Sequence, residues 1–191
     1  MADFSTGVQS IKFTNANTDG DTAGQFPNFA ASDGVTIVNF KYIPTDSVTE
    51  DKDDDTVEDI TTEDFEDPVA QITTTKGRKT FALQSYDLAP ETLKYWLGDK
   101  LVSGEDDPNA GYYVGDTEFV LPLQAMQIID KKTADTEQRI WEYMPVKVIA
   151  KISGTRGKSG LLTLTLSGTL LGNKDKDGNK LPNYRWKPVT E

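Results

Sequence analysis

The chain has 191 residues, a formal net charge of −11 and a hydrophobic content of only 36%. One domain of this length buries about 70% of its unfolded surface, and the many Gly, Thr, Asp and Asn residues favour a β-rich fold over a helix bundle. The chain contains neither Cys nor His, which excludes disulfides, thiolate metal sites and catalysis of the Ser-His-Asp type.

The first ten residues, MADFSTGVQS, are polar and do not have the pattern of an export signal. No stretch approaches the ~20 consecutive apolar residues of a membrane span. We therefore expect a soluble protein that is made in the cytoplasm and has no membrane partner.

Two strands are predicted in the first 45 residues. Residues 8–13 form the first, and residues 35–43, VTIVNFKYI, are apolar on both faces and so are expected to be buried on both. Between them, residues 14–34 are rich in Asn, Asp, Gly and Ala and predict a long loop. Three side chains could pin that loop to a neighbouring surface, namely Phe26, Pro27 and Phe29.

The most unusual segment is acidic. Residues 45–67 contain twelve acids and one base, Lys52, so this segment carries a net charge of −11 and the rest of the chain is neutral. It buries too little apolar surface to offset its ordering entropy, and its like charges repel. We predict a long, extended acidic loop. Its candidate residues for contact with an assembly partner are Asp51, Asp53, Asp54, Asp55, Glu58, Asp59 and Phe65.

Three interpretations of this acidic segment remain open. It could be a solvated loop that keeps the protein soluble, a segment that becomes ordered on contact with a partner, or an electronegative wall beside a nucleic-acid path. It is a poor DNA-binding surface, because affinity for DNA comes from Lys and Arg displacing counterions. For a conduit this is no objection, since tight binding would stall transit.

A strand, a turn, a strand and a helix follow one another in residues 68–98. Residues 69–75 and 80–86 predict a β-hairpin around the turn at Lys76 and Gly77. Residues 90–97 then predict one short helix, since Pro suits its first position and Gly98 its left-handed end. Three apolar side chains share one face of this helix and are expected to dock it on the sheet: Leu93, Trp96 and Leu97.

The second half of the chain predicts further strands. They lie at residues 112–114, 117–121, 123–130, 139–152, 161–171 and 184–186. Loops or turns are predicted at residues 99–111, 154–160 and 172–180. Pro145 implies an edge, a bulge or a break in the long strand 139–152. The segment 161–171 is the clearest amphipathic strand, with Leu162, Leu164 and Leu166 facing inward.

Residues 173–184, NKDKDGNKLPNY, have part of the pattern of a calcium loop. The weak candidate ligands Asn173, Asp175 and Asp177 occupy alternate positions before Gly178. The closing bidentate Glu is absent, because Tyr184 holds that position, and no helix precedes the segment. An Asp-Gly hairpin turn explains the same residues, so no metal site is assigned.

Other catalytic patterns are weak. The sequence GTRGKSG at residues 154–160 has the wrong glycine spacing for a phosphate loop, and a strand follows where a helix is required. A pair of acids of the glycosidase type is conceivable, but twelve of the 31 acids lie in the segment predicted to be a mobile loop, whereas catalysis needs groups on rigid elements. We expect a protein that is not an enzyme and needs no cofactor.

The segment FALQSYDLAPETLKYWLG, residues 81–98, resembles the major tail tube protein of long-tailed bacteriophages, and the resemblance extends over about residues 69–171. It implies a single domain with a β-sandwich or split-barrel fold and one flanking helix. It also implies hexameric rings stacked into a tube whose lumen passes DNA without specific binding. The implied location is the virion tail, and the other implied partners are the tape measure and the tail tip or terminator proteins.

In that family the long loop after the second strand reaches a neighbouring subunit or ring, and residues 45–67 hold that place here. One hypothesis is that repulsion between these acidic segments keeps monomers soluble until a tail tip nucleates assembly, so that added salt would promote polymerisation. The alternative function is a monomeric β-sandwich module that binds carbohydrate or mediates adhesion, with calcium at Asp175 and Asp177. The lack of an export signal counts against this alternative.

Overall fold

The computed structural model describes residues 7–30, 36–62, 65–104, 107–132, 137–156 and 160–189, with only the backbone for residues 61, 62 and 65–69. The protein is mainly β, with antiparallel sheets and one short α-helix. Its elements are β1 (Val8–Asn15), a 3-10 turn (Gly20–Thr22), β2 (Val38–Phe40), β3 (Thr49–Lys52), β4 (Thr56–Thr62), β5 (Phe65–Thr75), β6 (Lys79–Ser85), α1 (Pro90–Leu97), β7 (Lys100–Leu101), β8 (Tyr113–Val114), β9 (Gln124–Asp130), β10 (Arg139–Gly154), β11 (Leu162–Leu170), β12 (Asn173–Lys174), β13 (Lys180–Leu181) and β14 (Tyr184–Pro188).

Eight strands form the main sheet. Their order is β2-β1-β9-β10-β11-β6-β3, and β14 also pairs with β10. The sheet curls until its distant strands meet, because the N–H of Tyr86, just after β6, donates to the carbonyl of Tyr42, just after β2, at 3.1 Å. Side chains from both halves of the curled sheet share one core, which gives the fold a barrel-like form.

Strand β10 joins the two halves of the sheet. Residues 140–143 pair with β9 on one edge and β14 on the other, and residues 146–154 pair with β11. The register with β9 shifts between Tyr143 and Val146, on either side of Pro145, so of the edge, bulge or break predicted there the structure has an irregularity of the bulge type. Val146 pairs with both β9 and β11, which places β11 on the edge of β10 opposite β9. Strand β14 pairs with residues 139–143 on that same edge, so β14 and β11 follow one another along it.

The amphipathic pattern of β11 is confirmed. Leu164 and Leu166 are fully buried and Leu162 is half-buried. Ser167, on the opposite face of the strand, is exposed. In β10, Val146 and Val148 are buried, whereas Lys147, which alternates with them, is exposed. This period of two places one face of each strand in the core.

Helix α1 has the predicted bounds. Pro90 occupies its first turn, and Gly98 ends it at φ 74° with an N–H bond to the carbonyl of Lys94 at 3.1 Å. A side chain at Gly98 would also collide with Phe119, whose Cγ lies 2.3 Å from the position of a Cβ. Glycine is therefore required both by the left-handed conformation and by the lack of space.

Trp96 is the side chain of α1 that enters the core. It is 2% exposed, and its ring makes edge-to-face contacts with Phe13 of β1 at 4.9 Å and Phe40 of β2 at 6.4 Å between centroids. Leu93 and Leu97 are both half-buried, but of the two predicted docking residues Leu97 packs against the core cluster and Leu93 does not. Tyr95 was not predicted to dock the helix, but its hydroxyl donates a hydrogen bond to the side-chain oxygen of Gln124 at 2.6 Å.

A second, smaller cluster covers the outer face of the sheet. Phe29 is buried against Ala125 and Met144, with Phe26 packed alongside. Pro27 is buried as well. The predicted packing of the loop between β1 and β2 against a neighbouring surface is thus confirmed. It explains why Ala125 of β9 and Met144 of β10 are buried although they face away from the main core.

The predicted hairpin of residues 69–75 and 80–86 does not form. Strand β5 pairs with β4, whereas β6 lies between β11 and β3 in the main sheet. The side chains explain the separation, because Phe81 and Leu83 of β6 are buried and the described side chains of β5 are exposed. A strand with an apolar face gains more from the core than from pairing with a polar neighbour.

Other predicted elements also differ from the structure. The strand predicted at residues 35–43 is reduced to β2 and is not buried on both faces, since Asn39, Lys41 and Tyr42 are exposed. Residues 117–121 are not a strand, and the loop predicted at 99–111 contributes β7, which pairs with β8. The turn predicted at 172–180 contains β12 and the start of β13. These segments are short, so their local composition is a weak predictor of their secondary structure.

The docking of α1 gives a testable prediction. Trp96→Ala should lower the free energy of unfolding by about 3–5 kcal/mol, because it removes a fully packed aromatic side chain and leaves a cavity. Urea denaturation measures this loss. Lys94→Ala, on the exposed face of the same helix, is the control and should change stability by no more than about 0.5 kcal/mol. Equal effects of the two substitutions would contradict the docking.

The buried hydroxyl of Tyr95 predicts how stability depends on pH. Burial raises the pKa of Tyr95 to about 12, against the lowering effect of its hydrogen bond with Gln124. An unfolded tyrosine ionises near pH 10, so between about pH 10 and 12 the folded state binds more protons and the free energy of unfolding falls as pH rises.

Urea midpoints at about pH 9 and about pH 11.5 measure this fall. Tyr95→Phe should make it smaller, while Tyr42→Phe, which removes a hydroxyl from a side chain that is 70% exposed, should leave it unchanged. An equal fall in the wild type and in Tyr95→Phe would show that other groups cause it.

Candidate assembly surface

The acidic arm, which we define as residues 53–75, is the most exposed part of the structure. Its strands β4 and β5 form a separate two-stranded ribbon. Apart from the half-buried Asp55, every side chain described in the arm is exposed. The arm contains nine acids and no base. It therefore extends from the barrel as a charged ribbon that the rest of its own chain does not cover.

The segment predicted to be an acidic loop, residues 45–67, is thus largely strand. It contains β3, β4 and the first residues of β5. Thr and β-branched residues favour the extended conformation, and the pairing limits repulsion because Glu58 lies opposite Ile72 and Asp59 lies opposite Gln71. Like charges directly opposite one another are thereby avoided. Gln71 also donates a hydrogen bond to Asp59 at 2.8 Å.

A closed neck joins the acidic arm to the barrel. The N–H of Asp53 donates to the carbonyl of Arg78 at 2.9 Å, and the carboxylate of Asp55 accepts from the N–H of Gly77 at 2.8 Å and from Lys52 at 2.9 Å. These bonds, Lys52 first, hold the pKa of Asp55 below its usual value. A Cβ at Gly77 would lie 1.6 Å from the carbonyl oxygen of Asp53, so the neck requires glycine.

The neck is fastened to the core by Glu50 of β3. Its carboxylate accepts a hydrogen bond from the Tyr143 hydroxyl at 2.8 Å and forms an ion pair with Lys79. The Lys79 ammonium lies 5.2 Å from the ring centroid of Tyr143 and 5.0 Å from that of Tyr184. Burial, and then the charge of Glu50, raises the pKa of Tyr143. Glu50 was not among the residues that the sequence singled out.

The two faces of the arm differ in chemistry. Cross-strand pairing places Ile60 beside Ala70 and Glu58 beside Ile72 on one face, and Asp59 on the other. Ile60 and Ile72 are 39% and 54% exposed. An isolated two-stranded ribbon is at best marginally stable in water, so this apolar face favours contact with another surface.

The structure gathers the candidate assembly residues along this arm and its neck. Asp51 lies in β3, the three successive acids from Asp53 lie at the neck, and Glu58 and Asp59 lie in β4. Phe65 begins β5, but its side chain lies outside the described part of the chain.

A second charged surface lies on the outer face of the barrel, and we call it the basic groove. It is lined by three bases, Lys12, Arg185 and Lys187, by the apolar side chains Phe26, Ile129 and Ile140, and by Glu142. Arg185 pairs with Glu142 and lies 4.6 Å from the ring centroid of Phe26. Glu142 also accepts a hydrogen bond from Gln127 at 2.8 Å.

Sequence reasoning missed the basic groove because its residues come from β1, β9, β10, β14 and the loop after β1. One signal was present in the composition. Residues 139–189 contain ten bases and three acids, which is the opposite of the balance in the acidic arm. The chain as a whole therefore separates its charges into an acidic and a basic region.

The candidate calcium residues form a hairpin between β12 and β13. One oxygen of Asp175 accepts hydrogen bonds from the N–H groups of Asp177 at 2.9 Å and Asn179 at 2.8 Å, and the other accepts from the Asn179 amide at 2.8 Å. The Asn179 contacts in particular hold the pKa of Asp175 below its usual value. Asn173 is buried and donates to the carbonyl of Gly24 at 2.9 Å.

These contacts give the side chains of Asn173 and Asp175 a structural role in the hairpin. Within the described ranges, no three acidic side chains are grouped closely enough to hold a metal ion.

No protein-family model matches the chain, and no curated protein sequence matches it significantly. Among the described residues, none of the helices has the length and apolar character needed to cross a membrane. The fold and the two charged surfaces described above define a mainly β protein with one short helix, an exposed acidic arm and a basic groove.

The hairpin geometry predicts the response to calcium. Adding about 1 mM calcium, in the range that binds weak sites, should leave the melting temperature unchanged, because the Asp175 oxygens already accept three hydrogen bonds. Asp175→Ala, which removes these bonds, should lower the melting temperature with or without calcium. Differential scanning calorimetry measures both. A rise on adding calcium that Asp175→Ala abolishes would support the binding-module alternative, since a ligand of the folded state must stabilise it.

Proposed function

We propose that this chain is a structural subunit that assembles with copies of itself, and specifically the tail tube protein of a long-tailed bacteriophage. The observation that carries the proposal is the acidic arm, an 11-residue strand β5 paired to β4 whose described side chains remain almost entirely exposed. A ribbon of this kind has little to stabilise it within one molecule. Contact with a neighbouring subunit would bury its apolar face.

Open strand edges support the same proposal. Within the described part of the chain, β3 pairs only with β6 and β14 pairs only with β10. Each leaves a row of backbone groups available to another strand, and assembly is one way in which proteins cover such edges. A contact between different surfaces of two copies closes into a ring when the rotation between the copies allows it.

The barrel-like sheet with one docked helix agrees with what the resemblance of residues 81–98 implies. On this proposal, rings stack into a tube in the virion tail, with the tape measure and tail tip or terminator proteins as further partners. DNA would pass through the lumen without specific binding. The acidic arm is consistent with that, because a segment without Lys or Arg has no counterion-release contribution to DNA affinity.

An arm-deletion variant tests the proposal. Residues 54–76 are replaced by Asn-Gly, a pair that favours a tight hairpin turn, which joins Asp53 to Gly77 where the neck already brings them together. The variant should remain folded, because none of the arm side chains that the structure describes is buried in the core, but it should no longer assemble. Negative-stain electron microscopy at low and high protein concentration would show rings or tubes for the wild type alone.

Circular dichroism and the melting temperature of the monomer provide the control for folding. Rings formed equally well by the deletion variant would show that the arm is not the assembly element. Compact monomers at every concentration for the wild type, with or without a purified tail tip complex, would contradict the tail tube proposal itself.

A further inference from the structure

The acidic arm and the basic groove are complementary, and they belong to the same chain. The arm has nine acids and no base, whereas the groove is lined by three bases, Lys12, Arg185 and Lys187, and one acid, Glu142, which gives it a net charge of +2. Opposite charges of this size attract over roughly 10 Å at ordinary salt concentrations. The arm of one copy would therefore be attracted to the groove of another copy.

The two surfaces also match in their apolar parts. On one face of the arm, Ile60 and Ile72 are exposed beside Glu58. In the groove, Phe26 and Ile140 lie beside Lys187. Laying that face of the arm on the groove would bury apolar side chains and bring Glu58 to the bases. Burial of the apolar area would provide affinity, and the charges would fix the orientation.

The arm of one chain does not occupy its own groove. Its neck is fastened to the core-facing side of the sheet, where Lys79 lies beside the rings of Tyr143 and Tyr184. Arg185 and Lys187 alternate with Tyr184 along β14 and so face the opposite side. The hydrogen bonds of the described arm side chains run within the arm or to its neck.

We propose that the basic groove of one copy binds the acidic arm of a second copy, with the face that carries Glu58, Ile60 and Ile72 laid against Ile140 and Lys187. This inference rests on the proposed self-assembly and identifies the surface that receives the arm. It makes the opposite prediction to the repulsion hypothesis, because salt would weaken an attractive contact.

Disulfide trapping between copies tests the contact directly, because the chain contains no cysteine. A Glu58→Cys variant is mixed with a Lys187→Cys variant that carries a different affinity tag, and heterodimers are measured after mild oxidation. Two matched controls are used. Lys180→Cys places the second cysteine at an exposed base of the β12–β13 hairpin outside the groove. Asp59→Cys places the first on the other face of the arm.

We expect about tenfold more heterodimer for Glu58→Cys with Lys187→Cys than for either control pair, as the high effective concentration in a specific contact requires. The yield should fall between about 0.05 M and about 0.5 M salt. Equal yields for Lys187→Cys and Lys180→Cys, a yield that rises with salt, or preferential trapping of two Glu58→Cys arms with each other would overturn the proposal.

Electron microscopy of the wild type separates this inference from the proposed function. Rings or tubes with no preference for Lys187→Cys would leave the tail tube proposal standing and overturn the groove contact. Selective trapping without rings under any condition would support the groove contact and contradict the tube. Failure of both measurements would overturn both.

Discussion

The burial of Trp96 within the curled sheet is the interaction on which the rest of the fold depends. Its ring contacts Phe13 and Phe40, on β1 and β2 near one end of the strand order, and its helix follows β6 near the other end. One side chain thus links distant parts of the sheet where the Tyr86 and Tyr42 backbones meet. A helix of eight residues is not stable alone in water, so the helix and the closure of the barrel stabilise each other.

The barrel-like sheet encloses one main core, and few charged side chains are buried. Two described acids are buried and both are hydrogen-bonded: Asp130 accepts from the Trp141 indole N–H at 3.0 Å, and Glu142 accepts from Gln127 at 2.8 Å and pairs with Arg185. Nine of the 31 acids lie in the acidic arm outside the barrel, where water solvates them. A paired ribbon places its acids on fixed faces, which an unstructured loop would not do. Fixed faces are what allow a charged segment to recognise one partner orientation.

Local signals in the sequence were sufficient for some elements. Helix α1 has a proline at its start, a glycine at its end and Trp96 on its apolar face, and β11 alternates Leu with polar residues. The hairpin expected from residues 69–86 failed because alternation shows that one face of β6 is buried, but not which strand β6 pairs with. The basic groove brings together residues as distant as Lys12 and Lys187. No sequence window contains both, so only the basic balance of residues 139–189, opposite to that of the acidic arm, could have indicated it.

The placement of the two charged surfaces has a consequence for symmetry. If the arm bound the arm, or the groove the groove, contact would end at a two-fold dimer. Arm and groove are different surfaces, and the neck of the arm lies on the opposite side of β14 from the groove, so a copy that binds one neighbour in this way keeps its other surface free for the next. Such a head-to-tail contact repeats until it closes into a ring or continues as a filament. A tube of stacked rings needs contacts of this type, and the proposed binding of the acidic arm to the groove of the next copy would supply one.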